Sequence, residues 1–121
     1  MNKTELDRIG RTVHTALSAW NEAHGEDGYA TWDTLSAGDK QSTFDSVQFV
    51  IDNPDADPGA QHDQWLQQKR SDGWSYNKQR DNAKKHHPML IPFDQLSEFE
   101  QRKDALLNAV VRALSADLKS G

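Results

Sequence analysis

No cysteine occurs anywhere in this chain, so disulfides and thiolate metal sites are excluded. A cysteine-free protein suits a reducing compartment. No apolar run approaches the roughly 18 residues a membrane span requires, and the N-terminus lacks a basic stretch followed by an apolar one. A soluble, cytoplasmic protein with no membrane role is the expectation. Apolar residues are also scarce, at 35% of 121 residues, while 27% are charged. Large aromatic side chains offset that scarcity: four Trp, four Phe and two Tyr can each bury a wide surface. A chain of this length supports one domain, 1–121, with a helical N-terminal part at 4–55 and a second part at 57–118.

Cations are the minority charge, 14 against 19 acids for a net charge of −5, which argues against a general nucleic-acid binder. Their distribution is uneven. Between Trp65 and His87 stand Lys69, Arg70, Lys78, Arg80, Lys84 and Lys85 against only Asp72 and Asp81. That segment carries +4 and leaves −9 for the remainder. A basic patch in an acidic chain suits a compact anionic ligand rather than a long polyanion. The plain alternative is a solvated loop whose cations pair with acids elsewhere.

Helix signals organise the chain. Thr4 with Asp7 predicts a first N-cap, followed by Leu6, Ile9, Val13, Leu17 and Trp20 at helical spacing and by Gly25 as a stop. Tyr29 and Trp32 lie in a loop expected to fold back onto the core. Ser36 with Asp39 opens a second helix whose apolar face is Phe44, Val47, Val50 and Ile51, and Asn53-Pro54 closes it. Asp57 and Pro58 prepare a third helix, poor in apolar residues, that runs to about Arg70 before Gly73. Trp74-Ser75-Tyr76 and Met89-Leu90-Ile91 predict two short extended pieces in a hairpin. Ser97 and Glu100 form a capping box for a last helix whose stripe is Leu107, Val110, Val111, Leu114 and Leu118. The fold class is mainly α: about four helices with a short β-hairpin between the third and the last.

The run His62–Trp65 (HDQW), then KRSDGWSY to Tyr76, then RDNAKKHHPMLIPF from Arg80 to Phe93, followed by a long helix, resembles the ryanodine receptor repeat. That pattern is H-x-x-W, a Lys, G-W-x-Y-G, a basic residue before Asp, and H-P-x-L-x-P-aromatic. The resemblance covers about half the chain. The N-terminal half, with His14, Trp32, Leu35 and Val47, is similar to small single-repeat proteins of phages and bacteria. Asn77 stands where the family has Gly and should tolerate the left-handed turn expected there. His86 is an additional histidine, and Phe93 replaces Tyr.

His62, Trp65 and Lys69, spaced three and four apart, share a helix face. An aromatic plane beside an imidazole and an ammonium suits a flat ring joined to phosphates. In the channel repeats the Trp of H-x-x-W is associated with adenine nucleotides, and the resemblance assigns that role to Trp65; the alternative is that Trp65 is the main core anchor of an otherwise polar helix. It also implies two chains associating, because the channel repeats work in pairs. Trp74 and Tyr76 alternate and so share a face. They could form a second wall for the ring or seal the core under the hairpin; the core is the favoured place for Trp74, and Tyr76 is left open. Arg80, Lys85 and His87 are candidate phosphate contacts, and a local Arg80–Asp81 ion pair is the alternative for the first. The ligand-binding candidates are therefore His62, Trp65, Lys69, Trp74, Tyr76, Arg80, Lys85 and His87. Adjacent histidines diverge, and no H-E-x-x-H occurs, so no metal is expected; nor is a cofactor. His14 reads as a satisfied core-edge residue. The carboxylates read as solvated helix faces, and no nucleophile–base motif proposes an enzyme. The expectation is a non-enzymatic binder of an ADP-ribose-like compound or adenine nucleotide. A protein–protein interaction module is the alternative.

Overall fold

A computed structural model describes residues 2–116. Four helices carry the architecture: α1 (Lys3–Ala23), α2 (Ala37–Asp52), α3 (Pro58–Ser71) and α4 (Glu98–Ala116). Two short 3-10 turns, Trp32–Thr34 and Phe93–Gln95, and two dipeptide strands, β1 (Ser75–Tyr76) and β2 (His86–His87), complete it.

Local capping chemistry sets most boundaries. Ser36 accepts from the Asp39 amide at 3.1 Å, Asp57 from Ala60 at 3.0 Å, and Ser97 from Glu100 at 3.3 Å. Gly25 and Gly73 follow α1 and α3 with φ of 80° and 92°, the left-handed geometry in which only glycine has no side-chain penalty. The first cap differs from the expectation at Thr4. Asn2 accepts from the Glu5 amide at 2.8 Å and Glu5 returns a bond to the Asn2 amide, a reciprocal box that starts the helix earlier. Asparagine is also the stronger N-cap.

Ile9 and Val13 of α1, Val47 and Val50 of α2, and Leu107 and Val111 of α4 form one buried cluster. Leu6, Leu17, Ile51, Val110 and Leu114 pack around it, while Leu118 lies outside the described residues. Gly10 lets α1 close on this core, because a Cβ there would stand 3.0 Å from both Phe44 and Trp32. Trp32 is buried as expected and donates to Asp7 at 3.1 Å. Tyr29 stays 38% exposed and packs on His14 instead of entering the core.

Helix α3 is the outlier. Its buried residues are Leu66 and two polar ones, Gln61 and His62. It cannot join the apolar cluster as an equal partner, and an open seam remains between it and the rest of the domain. Gln68 spans to α2, donating to Asp45 at 2.7 Å.

The expected hairpin is not formed. Strand β1 pairs with β2 in parallel, Ser75 opposite His86 and Tyr76 opposite His87. Met89-Leu90-Ile91 is a turn, closed by the Ile91 amide on the Met89 carbonyl at 2.9 Å, with Leu90 buried. The tertiary demand to bury Leu90 between Pro88 and Pro92 outweighs the local strand propensity. The antiparallel element present is a single bridge between Asp81 and His86. Nor is Asn77 left-handed: among the described residues the non-glycine with positive φ is Lys85, at 56°. Asn77 instead uses its side-chain carbonyl to accept from the Gln79 amide at 3.1 Å. No helix among the described residues is long and apolar enough to cross a membrane.

Candidate functional site

A cleft of about 420 Å³ occupies the seam beside α3. One wall comes from α3 and the segment after it: Trp65, Lys69, Trp74, Arg80 and His87. The facing wall contains His14, Tyr29, Glu100, Lys103 and Asp104, drawn from α1, its following loop and α4. Ser46 and Gln61, both buried, line its inner part.

His62 holds the site together. Its Nε2 lies 2.8 Å from the Ile91 carbonyl and its Nδ1 lies 3.3 Å from Asp104 Oδ2, with the ring buried between α3 and α4. Burial depresses its pKa, but the Asp104 carboxylate, the Ile91 carbonyl and Asp63 outweigh that and raise it above the ordinary value. Both ring nitrogens face acceptors, so the imidazolium is favoured and little of it is left for a ligand. The Asp104 contact is an ion pair rather than an aligned hydrogen bond, and Oδ2 has no hydrogen-bond donor among the described residues.

Trp65 is half-buried, with its ring centroid 5.4 Å from His62 and 5.2 Å from His87, the latter edge-to-face. Trp74 continues the aromatic surface 6.3 Å beyond His87 and lies beneath the Lys69 ammonium, 5.0 Å from its ring centroid. His87 is kept neutral. Its Nδ1 accepts from the Met89 amide at 3.0 Å, which leaves the proton on Nε2. Burial, followed by the nearby Arg80 and Lys69 charges, lowers its pKa to about 4.

Arg80 donates through Nε to Asn82 at 3.1 Å, and the local pair with Asp81 does not form. The Asp81 carboxylate is occupied by the Ala83 and Lys84 amides instead. Neither Arg80 nor Lys69 forms an ion pair among the described residues.

The opposite wall is internally satisfied. Lys103 donates to Tyr29 at 2.7 Å and to Asn21 at 3.3 Å and pairs with Glu100 at 3.0 Å. Burial lowers its pKa, but Tyr29 and Glu100 more than compensate and raise it. His14 contacts the Ala30 carbonyl at 2.6 Å and stacks on Tyr29.

Six of the eight residues expected at the site therefore meet on this cleft: His62, Trp65, Lys69, Trp74, Arg80 and His87. Lys85 lines an adjoining hollow of about 440 Å³ that shares Lys69 and Trp74, and its ammonium donates to the Asp72 carbonyl at 2.7 Å. Tyr76, 52% exposed, lines neither. The reading of all carboxylates as solvated is corrected at Glu100 and Asp104, whose side chains are 19% and 18% exposed. One signal was available in the sequence: Lys103 and Asp104 stand four and three residues before Leu107, on the buried stripe. No comparable signal marked Gln61 or Ser46. Among the described residues, no group of three His, Cys, Asp or Glu is placed to hold a metal ion.

No curated protein matches the chain. A family model, that of the RyR domain, matches residues 59–116, the segment from the first turn of α3 to the end of α4.

Proposed function

We propose that this chain, whose residues 59–116 belong to the RyR domain family, binds a nucleotide-derived small molecule of the ADP-ribose or adenine-nucleotide kind. It would act as a sensor or sequestering protein, in the reducing cytoplasm of a bacterium or a phage-infected cell. The observation carrying this reading is the wall of the cleft on which Trp65, His87 and Trp74 form an aromatic surface flanked by Lys69 and Arg80. Flat rings are held by aromatic faces and edges, and phosphates by cations that have no internal ion pair. A neutral His87 adds an N–H donor without demanding a counter-charge. The cleft is of a size suited to a small organic molecule.

Calorimetric titration of the folded protein with ADP-ribose, ATP and adenosine tests the reading. Binding of the phosphorylated compounds, weakened by Arg80→Ala and by Trp65→Ala and much weaker for adenosine, is the expected result. Sedimentation with and without ligand tests the further proposal that two chains share the bound molecule. If none of the phosphorylated compounds binds, the reading fails.

The rival, a protein–protein interaction module, draws on Tyr76, a large aromatic that is 52% exposed and lines neither hollow. Tyr76→Ala separates the two: it should leave nucleotide binding intact and would abolish partner binding.

A further inference from the structure

The inner end of the cleft has a polarity opposite to that of its outer end. Gln61, Trp65 and Lys69 lie at four-residue spacing along one face of α3 and all line the cleft. Each step advances about 6 Å along the helix axis. In order they present a carboxamide, an indole and an ammonium. Gln61 is 4% exposed, and its Nε2 donates to Ser46 Oγ, itself buried, at 3.1 Å. The Gln61 Oε1 is buried and accepts no hydrogen bond among the described residues. Asp104 Oδ2, also on the cleft, differs in being matched by the His62 ring at 3.3 Å.

Buried acceptors without donors are uncommon and costly in folded proteins. Here the Gln61 acceptor lies on the buried part of a cleft whose more exposed lining includes Lys69 and Arg80, which form no ion pair among the described residues. A guest that satisfies both ends has hydrogen-bond donors on a ring at one end and anionic groups at the other. The last torsion of a glutamine side chain is broad and soft, so the carboxamide can turn to meet such a donor without moving the helix.

Resting on the binding reading above, we infer that Gln61 is a specificity-determining residue, selecting rings that carry an exocyclic amino group over their oxo counterparts. In an amino purine that group points away from the sugar and phosphates, matching the order of the α3 ladder. The oxo counterpart places an acceptor there and moves its proton to the neighbouring ring nitrogen, so the Gln61 carboxamide can meet the oxo group only by flipping and giving up its donation to Ser46. A site that must leave its own acceptor unpaired discriminates strongly against such a ligand.

Paired titrations with ADP-ribose and its deaminated hypoxanthine counterpart test the inference in the wild-type protein, without relying on a variant that could misfold. The amino form should bind about tenfold more tightly, one hydrogen bond's difference. Gln61→Leu, verified as folded by circular dichroism, should weaken the amino form by about the same factor and leave the oxo form unchanged. Equal or tighter binding of the oxo form to wild type would overturn this inference while leaving the binding function standing. Retention of the full preference by folded Gln61→Leu would overturn it too. Binding of neither compound would remove both.

Discussion

On the wall built by α1 and α4, Lys103 meets Glu100 and Tyr29, and Asp104 meets His62. On the wall built by α3 and the segment after it, Lys69 and Arg80 form no ion pair among the described residues. Both walls contain cations and aromatic rings within one cleft. Where a buried charge is matched inside the fold, its removal should register as stability. Where it is left unmatched at a half-open surface, its removal should register in what the protein holds.

The largest expected effect lies on the matched wall. Asp104→Ala strips the counter-charge from a buried imidazolium and should lower unfolding free energy by about 3 kcal/mol in a denaturant titration at pH 6. An unchanged midpoint would mean that His62 is neutral and the two walls do not differ in this way.

Next comes pH, because the two histidines pull in opposite directions. His87 has a folded pKa of about 4 against an ordinary 6.5. Its contribution is complete above 6.5 and is lost as pH falls toward 4, a loss of roughly 2 kcal/mol once its partial exposure is allowed for. His62, with a raised folded pKa, contributes fully below its ordinary value and loses that contribution as pH rises through the folded one. Unfolding midpoints measured from pH 4 to 8 should therefore pass through a maximum. His87→Phe should remove the acid limb and Asp104→Asn the alkaline one.

A smaller effect separates the walls by ligand. Arg80→Ala should weaken ADP-ribose by about tenfold in calorimetry while moving stability by less than about 0.5 kcal/mol. A large stability loss in that variant would place Arg80 with the structural charges. Smallest of all is the surface pair of Arg11 with Asp33, at 2.8 Å and exposed. Arg11→Ala should leave both the melting temperature and ADP-ribose affinity unchanged within error.

The same division explains how much could be read from the residues alone. Caps at Ser36, Asp57 and Ser97 and stops at Gly25 and Gly73 are local chemistry, and the chain states them within a few residues. The stripe of Leu107, Val110, Val111 and Leu114 likewise needs only periodicity. The wall that carries Trp65, Lys69 and Arg80 was legible because its residues fall between His62 and His87, in one stretch with one charge surplus. The matched wall was not. Lys103 reaches Asn21 across 82 residues of sequence, and no local pattern anticipates such a meeting. Gln61 escaped notice for a related reason: a glutamine on a polar helix looks solvated until the helix packs. The parallel pairing of Ser75–Tyr76 with His86–His87 was hidden because each strand is two residues long, too short for alternation to register.

That pairing has a consequence for how such a domain could diversify. Two strands running the same way oblige the chain between them, residues 77–85, to leave past one end of the ribbon and return at the other. The nine residues form a handle attached at both ends to fixed backbone. Its length and composition can change without disturbing the helices, since most of its side chains face water. Arg80 is carried on this handle, whereas Trp65 and Lys69 belong to the frame. Lengthening, shortening or recoding the handle thus changes the charge and shape of the cleft's rim while the scaffold stays the same.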